Sequence, residues 1–225
     1  MSRVIIFANG LLPDLEAARR LLRPKNTLLA ADGGTRHALA LGLVPSLVIG
    51  DLDSLSQAEC RLLEQAGTSF HKHPRDKNET DLELALNHVL DNGFRHILVI
   101  GGLGGRLDQV LGNLSLLADP RLSAVDIRLD DGLEEAFFVL KQARIKGSAG
   151  EIVSLIPWGG QVTGVTTTGL RWPLHEESLL PGKTRGISNE LLVESATISL
   201  QSGLLLVVHH RQSQIANRKF LGDSL

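Results

Sequence analysis

A chain of 225 residues, 43% hydrophobic and 21% charged, can bury one large core or two small ones. The net charge of −2 and the absence of tyrosine give no support for binding to nucleic acid or to an acidic membrane. Because Cys60 is the single cysteine, no run reaches membrane-spanning length and no signal-peptide pattern follows Met1, we expect a soluble, cytoplasmic protein.

The first 120 residues alternate short apolar strands with helical segments. Strands are predicted over residues 4–8, 27–31, 46–49 and 97–100. Helices are predicted over residues 13–22 and after the capping boxes Ser56/Glu59 and Thr80/Glu83. A further helix is predicted from Arg106, with Arg106 and Asp108 in its first turn and Leu107, Val110, Leu111 and Leu114 on one face. This alternation is typical of a mainly parallel sheet with helices on both faces, an α/β/α domain.

The pattern changes after Pro120. From Glu151 onward the chain reads as extended segments separated by glycine and proline, without helical periodicity. We therefore predict an antiparallel β-sandwich or barrel in this half, with a boundary between residues 140 and 150. The predicted division is an α/β domain over residues 1–142 and a β-sandwich domain over residues 143–225.

Three strands of the first domain end in acidic or glycine-rich sequence. Asp32 follows the second strand, Asp51 and Asp53 follow the third, and a glycine loop leads to Asp108 after the fourth. Strand ends of a parallel sheet share one edge, where ligands bind, and Asp81 begins a helix that should face that edge. We therefore expect these five aspartates to converge. Since Asp51 and Asp53 flank one leucine, we expect their side chains to project the same way from an extended segment.

Converging carboxylates repel one another unless a cation joins them, and oxygen ligands favour Mg²⁺ over zinc. The loop at Gly101, Gly102, Gly104 and Gly105 brings backbone N–H groups near a helix start, which suits an anion, although such a loop can also simply be a tight turn. Arg106 adds a phosphate-binding side chain. The combination predicts a site for a nucleotide polyphosphate with Mg²⁺.

Two nucleotide-binding patterns are excluded. The sequence 181–184, PGKT, resembles the end of a P-loop, but Glu177 occupies its first glycine position. The central loop lacks the third glycine of the dinucleotide fingerprint, where Leu107 stands. His71, His73, His209 and His210 are interpreted as solvated histidines of loops and strand ends.

The chain resembles the thiamine pyrophosphokinase family over nearly its whole length. The resemblance is carried, in order, by ADGG (31–34), GDLDS (50–54), KNETD (77–81), GGLGGRLD (101–108), TTTGLRWP (166–173) and GISN (186–189). It implies transfer of a pyrophosphoryl group from ATP to the hydroxyl of thiamine, giving thiamine diphosphate and AMP. It also implies a homodimer with shared active sites.

The resemblance implies roles for individual residues. Asp51, Asp53 and Asp81 would hold Mg²⁺, and Asp81 or Asp108 would orient or deprotonate the alcohol. The substrate-binding residues would be Asp32, Lys77, Thr80, Gly104, Gly105, Arg106, Trp172, Ser188 and Asn189. Asn78 replaces an aspartate of many members, and Gly186 replaces a substrate-contacting serine of some.

Two other functions fit the residues. A nucleotide-sensing protein with a β-sandwich dimerisation module would use the loop and carboxylates for binding only. A pyrophosphokinase acting on another alcohol, such as a pterin, would keep the same chemistry. Formation of AMP with thiamine, and its absence without thiamine, separates these alternatives.

Overall fold

A computed structural model describes residues 3–211. The chain divides into two compact units between Gly132 and Leu133. The sequence places the boundary at residues 142/143, whereas the structure assigns the strand over 134–139 to the second unit, because it pairs there with the last strand. Residues 212–225 of the predicted second domain lie outside the described residues. No helix between residues 3 and 211 is both long and apolar enough to cross a membrane.

The first unit is built on six parallel strands. They are β1 (Val4–Phe7), β2 (Thr27–Ala31), β3 (Leu47–Gly50), β4 (Ser69–Lys72), β5 (His96–Ile100) and β6 (Asp126–Asp130). Their order across the sheet is β4-β3-β2-β1-β5-β6. Strands β1 and β3 are buried along their whole length, as expected for a parallel sheet that is covered on both faces.

Five helices connect these strands. They are α1 (Leu15–Arg19), α2 (Thr35–Ala40), α3 (Gln57–Gln65), α4 (Asp81–Asp91) and α5 (Leu107–Leu117). The capping box at Ser56 and Glu59 is confirmed, since both of its hydrogen bonds form. At α4 only half of the predicted box forms: the Thr80 hydroxyl accepts a bond from the Glu83 N–H, and no reciprocal bond is present.

The structure differs from the sequence analysis of this unit in three places. Strand β4 is not predicted from the sequence, because this edge strand presents mostly exposed residues. Helix α5 does not bury the predicted face: Leu107 is 72% exposed and Leu111 48% exposed, whereas Leu114 and Leu117 are buried. Arg106 is the N-cap residue of α5 and does not lie in its first turn.

The second unit is antiparallel. Its strands are β7 (Glu134–Val139), β8 (Gln142–Lys146), β9 (Ile152–Thr168), β10 (Glu177–Leu179), β11 (Asn189–Glu190), β12 (Ser195–Ser199) and β13 (Ser202–His210). Strand β9 is continuous over 17 residues, although it contains a proline and glycines of the kind that the sequence analysis takes as breaks between segments. It pairs with β10, β11, β12 and β13. Buried aliphatic residues from these strands form one core, including Ile145, Leu155, Val165, Ile198 and Val207.

The prediction that His209 is solvated is wrong. This histidine is fully buried on β13, with Nδ1 3.1 Å from Glu135 Oε1 and Nε2 2.8 Å from Glu151 Oε2. The side chain of Arg211 lies 3.2 Å from Glu135 Oε2. This buried polar group therefore links β7, β9 and β13 inside the second unit.

Candidate active site

Three carboxylates meet at the carboxyl edge of the parallel sheet, as the strand pattern predicts. Asp32 begins the turn after β2, and Asp51 and Asp53 follow β3. One carboxylate oxygen from each of the three lies within 4.8 Å of the others. Asp32 is buried, Asp51 half-buried and Asp53 exposed, so the cluster opens from the protein interior to solvent.

The convergence of Asp51 and Asp53 has a different cause from the one predicted. Leu52, between them, has a φ of +64°, so the segment is a turn and not an extended strand. The backbone N–H of Asp53 donates to Asp51 Oδ1 over 3.1 Å. This local turn, formed by the aspartate itself, brings the two carboxylates together.

Asp32 and Asp81 both border the space above Gly50. A Cβ atom at Gly50 would lie 2.8 Å from Asp32 Cβ and 3.1 Å from Asp81 Cγ, so only glycine fits here. Asp32 Oδ1 is buried without a hydrogen-bond partner among the described residues. Such an orphaned oxygen is costly unless a ligand or cation completes it.

Asp81 lies outside the group of three and is paired with Lys77. The Lys77 ammonium approaches Asp81 Oδ1 to 2.9 Å, and the Lys77 side chain is only 13% exposed. The approach lacks hydrogen-bond geometry, so Asp81 Oδ1 is also a buried oxygen without a hydrogen bond among the described residues. The contact is a charge pair, because the attraction between the two charges depends on their separation and not on hydrogen-bond geometry.

The glycine loop after β5 interlocks with the loop after β1. Gly10 N–H donates to Gly101 O over 2.9 Å, and Leu11 N–H donates to Gly104 O over 3.1 Å. A Cβ atom at Gly10 or Gly104 would lie within 2.5 Å of the opposite backbone. The tight-turn explanation therefore holds for part of the loop. Gly105, with a φ of +101°, keeps more space at its Cα.

Arg106 and Asp108 form an exposed bidentate pair beside this loop. Arg106 Nε and Nη2 donate to Asp108 Oδ1 and Oδ2 over 3.1 and 2.5 Å. The hydrogen bond from Arg106 holds the pKa of the Asp108 carboxyl below its usual range, and Asp108 raises the pKa of Arg106. A carboxylate with a lowered pKa is a weak proton acceptor, which favours an orienting role for Asp108 over that of general base.

A cavity of about 580 Å³ opens between these loops and the start of α4. Of the predicted residues, it is lined by Asp32, Lys77, Thr80, Asp81, Gly104, Gly105 and Arg106. Asp51, Asp53 and Asp108 do not line it. Sequence reasoning missed Asn9, Arg75, Glu79, Gln109 and Asn113, which also line it. Asn9 directly follows the predicted strand over residues 4–8, a signal that could have identified it.

The predicted thiamine-side residues lie together in the second unit. The Asn189 side chain accepts from Trp172 N–H over 3.0 Å and donates to Trp172 O over 2.7 Å. Through these two hydrogen bonds the buried Asn189 side chain holds the backbone of Trp172, a residue that is 48% exposed. The guanidinium of Arg171 lies 5.4 Å from the ring centroid and pairs with Glu190 at 2.6 Å. Ser188 is exposed, with a φ of +58°.

The two departures from the family pattern have different structural settings. A Cβ atom at Gly186 would lie 2.2 Å from the Leu155 carbonyl oxygen, so a serine at this position requires a different local backbone. Asn78 is exposed in the loop that leads to α4. It does not line the cavity.

The acidic cluster has the composition of a Mg²⁺ site. It offers oxygen ligands alone, from a buried to an exposed carboxylate, and one buried oxygen has no hydrogen-bond partner among residues 3–211. Mg²⁺ is bound by a few carboxylates together with water and substrate phosphates. The residues present therefore fit this ion.

Comparison with family models matches both units. Residues 18–129 match the thiamin pyrophosphokinase catalytic domain, and residues 140–205 match the thiamin pyrophosphokinase vitamin B1 binding domain. A thiamine pyrophosphokinase of Bacillus subtilis is 33% identical over 214 residues, which cover 92% of this chain and 98% of that protein. Thiamine pyrophosphokinase 1 of Oryza sativa is 30% identical over 178 residues, covering 74% and 67%.

Solved structures agree with the sequence relatives. The crystal structure of the Bacillus subtilis thiamine pyrophosphokinase superimposes with a TM-score of 0.84 at 28% identity, covering 94% of this chain and 100% of that one. A thiamin pyrophosphokinase from Geobacillus thermodenitrificans gives a TM-score of 0.80 at 28% identity, covering 95% and 99%. The predicted fold class, an α/β domain followed by an antiparallel β-sandwich domain, is confirmed.

Proposed function

The chain belongs to the thiamine pyrophosphokinase family, and from that membership we propose that the cavity of its first unit is where ATP reacts. The activity is transfer of the β- and γ-phosphates of ATP to the hydroxyl oxygen of thiamine. A new P–O bond forms to the alcohol oxygen, and the bond between the α-phosphate and β-phosphate breaks. The products are thiamine diphosphate, AMP and the proton of the alcohol.

The acidic cluster is the proposed Mg²⁺ site. Asp51 and Asp53, together with Asp32, would hold the ion, and Asp81 borders the same space above Gly50 as Asp32. The bound ion would supply positive charge that neutralises the triphosphate and the charge developing during transfer. The orphaned buried oxygen of Asp32 is the observation that supports this assignment most directly.

Cationic side chains around the cavity would position the phosphates. Arg106 lines the cavity, and its planar guanidinium can bind two phosphate oxygens at once. Asp108 orients Arg106 through the bidentate pair. Lys77 neutralises Asp81 before substrate binds. Asp81 is the better candidate to accept the proton of the alcohol, because it lines the cavity and Asp108 does not.

The exposed Trp172 ring is the proposed stacking surface for thiamine, whose cationic ring suits the face of an indole. Ser188 would add a hydrogen bond from its exposed position, while Asn189 holds the Trp172 backbone. In this proposal the first unit binds ATP and Mg²⁺, and the second unit binds thiamine and takes part in dimerisation.

We also propose a homodimer with shared active sites. Each unit exposes large apolar residues near its candidate site: Leu11 and Leu107 in the first, Leu192 and Val193 in the second. Exposed apolar patches of this kind mark protein interaction surfaces. Size-exclusion chromatography with light scattering should give twice the chain mass. The single, half-buried Cys60 fits the cytoplasm, where we place the protein.

One assay tests the reaction. AMP should form from ATP in the presence of Mg²⁺ and thiamine, with thiamine diphosphate in equal amount. No AMP should form without thiamine or with a pterin alcohol in its place. ATP binding without AMP formation would support the nucleotide sensor, and AMP formation only with another alcohol would change the substrate.

A further inference from the structure

Arg75 connects the cavity to the acidic cluster. It lines the cavity, while its Nε atom lies 3.5 Å from Oδ2 of Asp53, a member of the cluster that the cavity wall does not include. Asp32 belongs both to the cluster and to the cavity wall. The guanidinium of Arg75 therefore lies at the border between the proposed metal site and the proposed phosphate site.

The pair that Arg75 forms is the easiest of the three ion pairs at this site to separate. Lys77 and Asp81 are 2.9 Å apart and largely buried, and Arg106 donates hydrogen bonds to both carboxylate oxygens of Asp108. The contact of Arg75 is longer, and its side chain is 86% exposed. Exposed pairs contribute little to stability, so exchanging this partner for another anion costs little.

A divalent cation bound by Asp51 and Asp53 would replace Arg75 as the partner of the Asp53 carboxylate. The cation would satisfy the Asp53 carboxylate and repel the Arg75 guanidinium at close range. A polyphosphate bound in the adjoining cavity would offer Arg75 another anionic partner. A guanidinium matches phosphate oxygens in a bidentate fork, which an ammonium cannot reproduce.

We propose that Arg75 is a further phosphate-binding residue of this site. Arg75 pairs with Asp53 while the metal site is empty, and it binds the triphosphate when a divalent cation occupies that site. This inference rests on the proposed function, since it needs Mg²⁺ and ATP at this site. It makes two predictions of different sign: Arg75 opposes binding of the metal alone and favours binding of the metal–nucleotide complex.

Calorimetry without thiamine tests both, because no turnover occurs. The variants are Arg75→Gln, Arg75→Lys and the control Arg61→Gln, which removes an exposed arginine on α3. Arg75→Gln should bind Mn²⁺ alone more tightly than wild type does, by up to about 3-fold. It should bind MgATP about 10-fold more weakly, since a charge-assisted hydrogen bond is lost. Arg75→Lys should fall between, and Arg61→Gln should match wild type.

Two results would overturn the assignment. If Arg75→Gln binds MgATP as Arg61→Gln does, Arg75 is a surface residue. If Arg75→Gln weakens Mn²⁺ and MgATP equally, Arg75 only positions Asp53. The wild-type AMP assay separates these from failure of the proposed function: without AMP formation in wild type, the function and this inference fall together. With AMP formation in wild type, only the role of Arg75 is in question.

Discussion

At the scale of single residues, the site depends on carboxylates that the fold leaves incomplete. Asp32 has a buried oxygen without a hydrogen bond among the described residues, and Asp53 has one long, exposed contact with Arg75. Neither arrangement contributes much to stability. Substitutions here should therefore change catalysis without changing the fold.

Asp51→Asn and Asp53→Asn should each lower the rate of AMP formation by at least about 100-fold, because even residues that only support a metal ligand cost 10- to 100-fold when removed. Melting temperatures should stay close to wild type, because neither side chain is fully buried. Asp91→Asn, which removes an exposed carboxylate at the end of α4, is the control. Full activity of Asp51→Asn or Asp53→Asn at saturating Mg²⁺ would refute the metal assignment.

Gly186→Ser tests the structural explanation of one departure from the family pattern. Its Cβ atom would lie 2.2 Å from the Leu155 carbonyl oxygen, so the free energy of unfolding should fall by about 1–3 kcal/mol, as for other overpacked sites. Gly160→Ser places a Cβ atom where nothing lies within 4 Å. It should change stability by less than about 0.5 kcal/mol in the same urea titration. Equal values for the two variants would contradict this explanation.

At the scale of elements, the starts of α3 and α4 form a natural comparison. Both place a glutamate at the third helical position, yet only Glu59 accepts a bond from its N-cap, with Ser56 N–H 2.7 Å from Oε2. The hydrogen bonds with Ser56 lower the pKa of Glu59. A carboxyl whose pKa is lower in the folded state stabilises the fold above its unfolded pKa and loses that contribution as the pH falls.

Glu59→Ala should therefore lower the melting temperature more than Glu83→Ala at pH 7, since both lose a first-turn charge but only the first loses a cap. The deficit of Glu59→Ala should shrink as the pH falls below the ordinary glutamate pKa of about 4.3 and through the lower folded value. Thermal melts followed by circular dichroism between pH 7 and 3 measure this. A deficit that is constant with pH would exclude the ionised cap as its cause.

The elements also show what could be predicted from sequence. Alternating strands and helices predicted the parallel sheet. The shared strand edge predicted that five aspartates converge, and three of them, Asp32, Asp51 and Asp53, form the cluster. The apolar face assigned to α5 was wrong because periodicity does not show which leucines a neighbour covers, and Leu107 stays exposed. The burial of His209 depends on glutamates 74 and 58 residues away, so no local pattern reveals it.

At the scale of the whole molecule, the proposed shared site makes the two units of different chains interdependent. Asp53→Asn damages the first unit and Trp172→Ala the second, and each variant should be inactive alone. Refolded together, a two-fold dimer contains one site with both lesions and one with none. A random mixture should recover about a quarter of wild-type activity. No recovery, with mixed dimers verified by native mass spectrometry, would place each site within one chain.

The long strand β9 has a consequence for the synthesis of the protein. Its 17 residues pair with β10 to β13, all of which follow it in sequence, and its longest partner, β13, ends at His210. The six parallel strands of the first unit, β1 to β6, are complete at Asp130. On the ribosome, β9 must therefore wait with unpaired backbone groups until His210 has emerged, whereas the parallel strands can pair with one another earlier. During that interval the nascent β9 is the segment most open to chaperones and to pairing with a neighbouring chain.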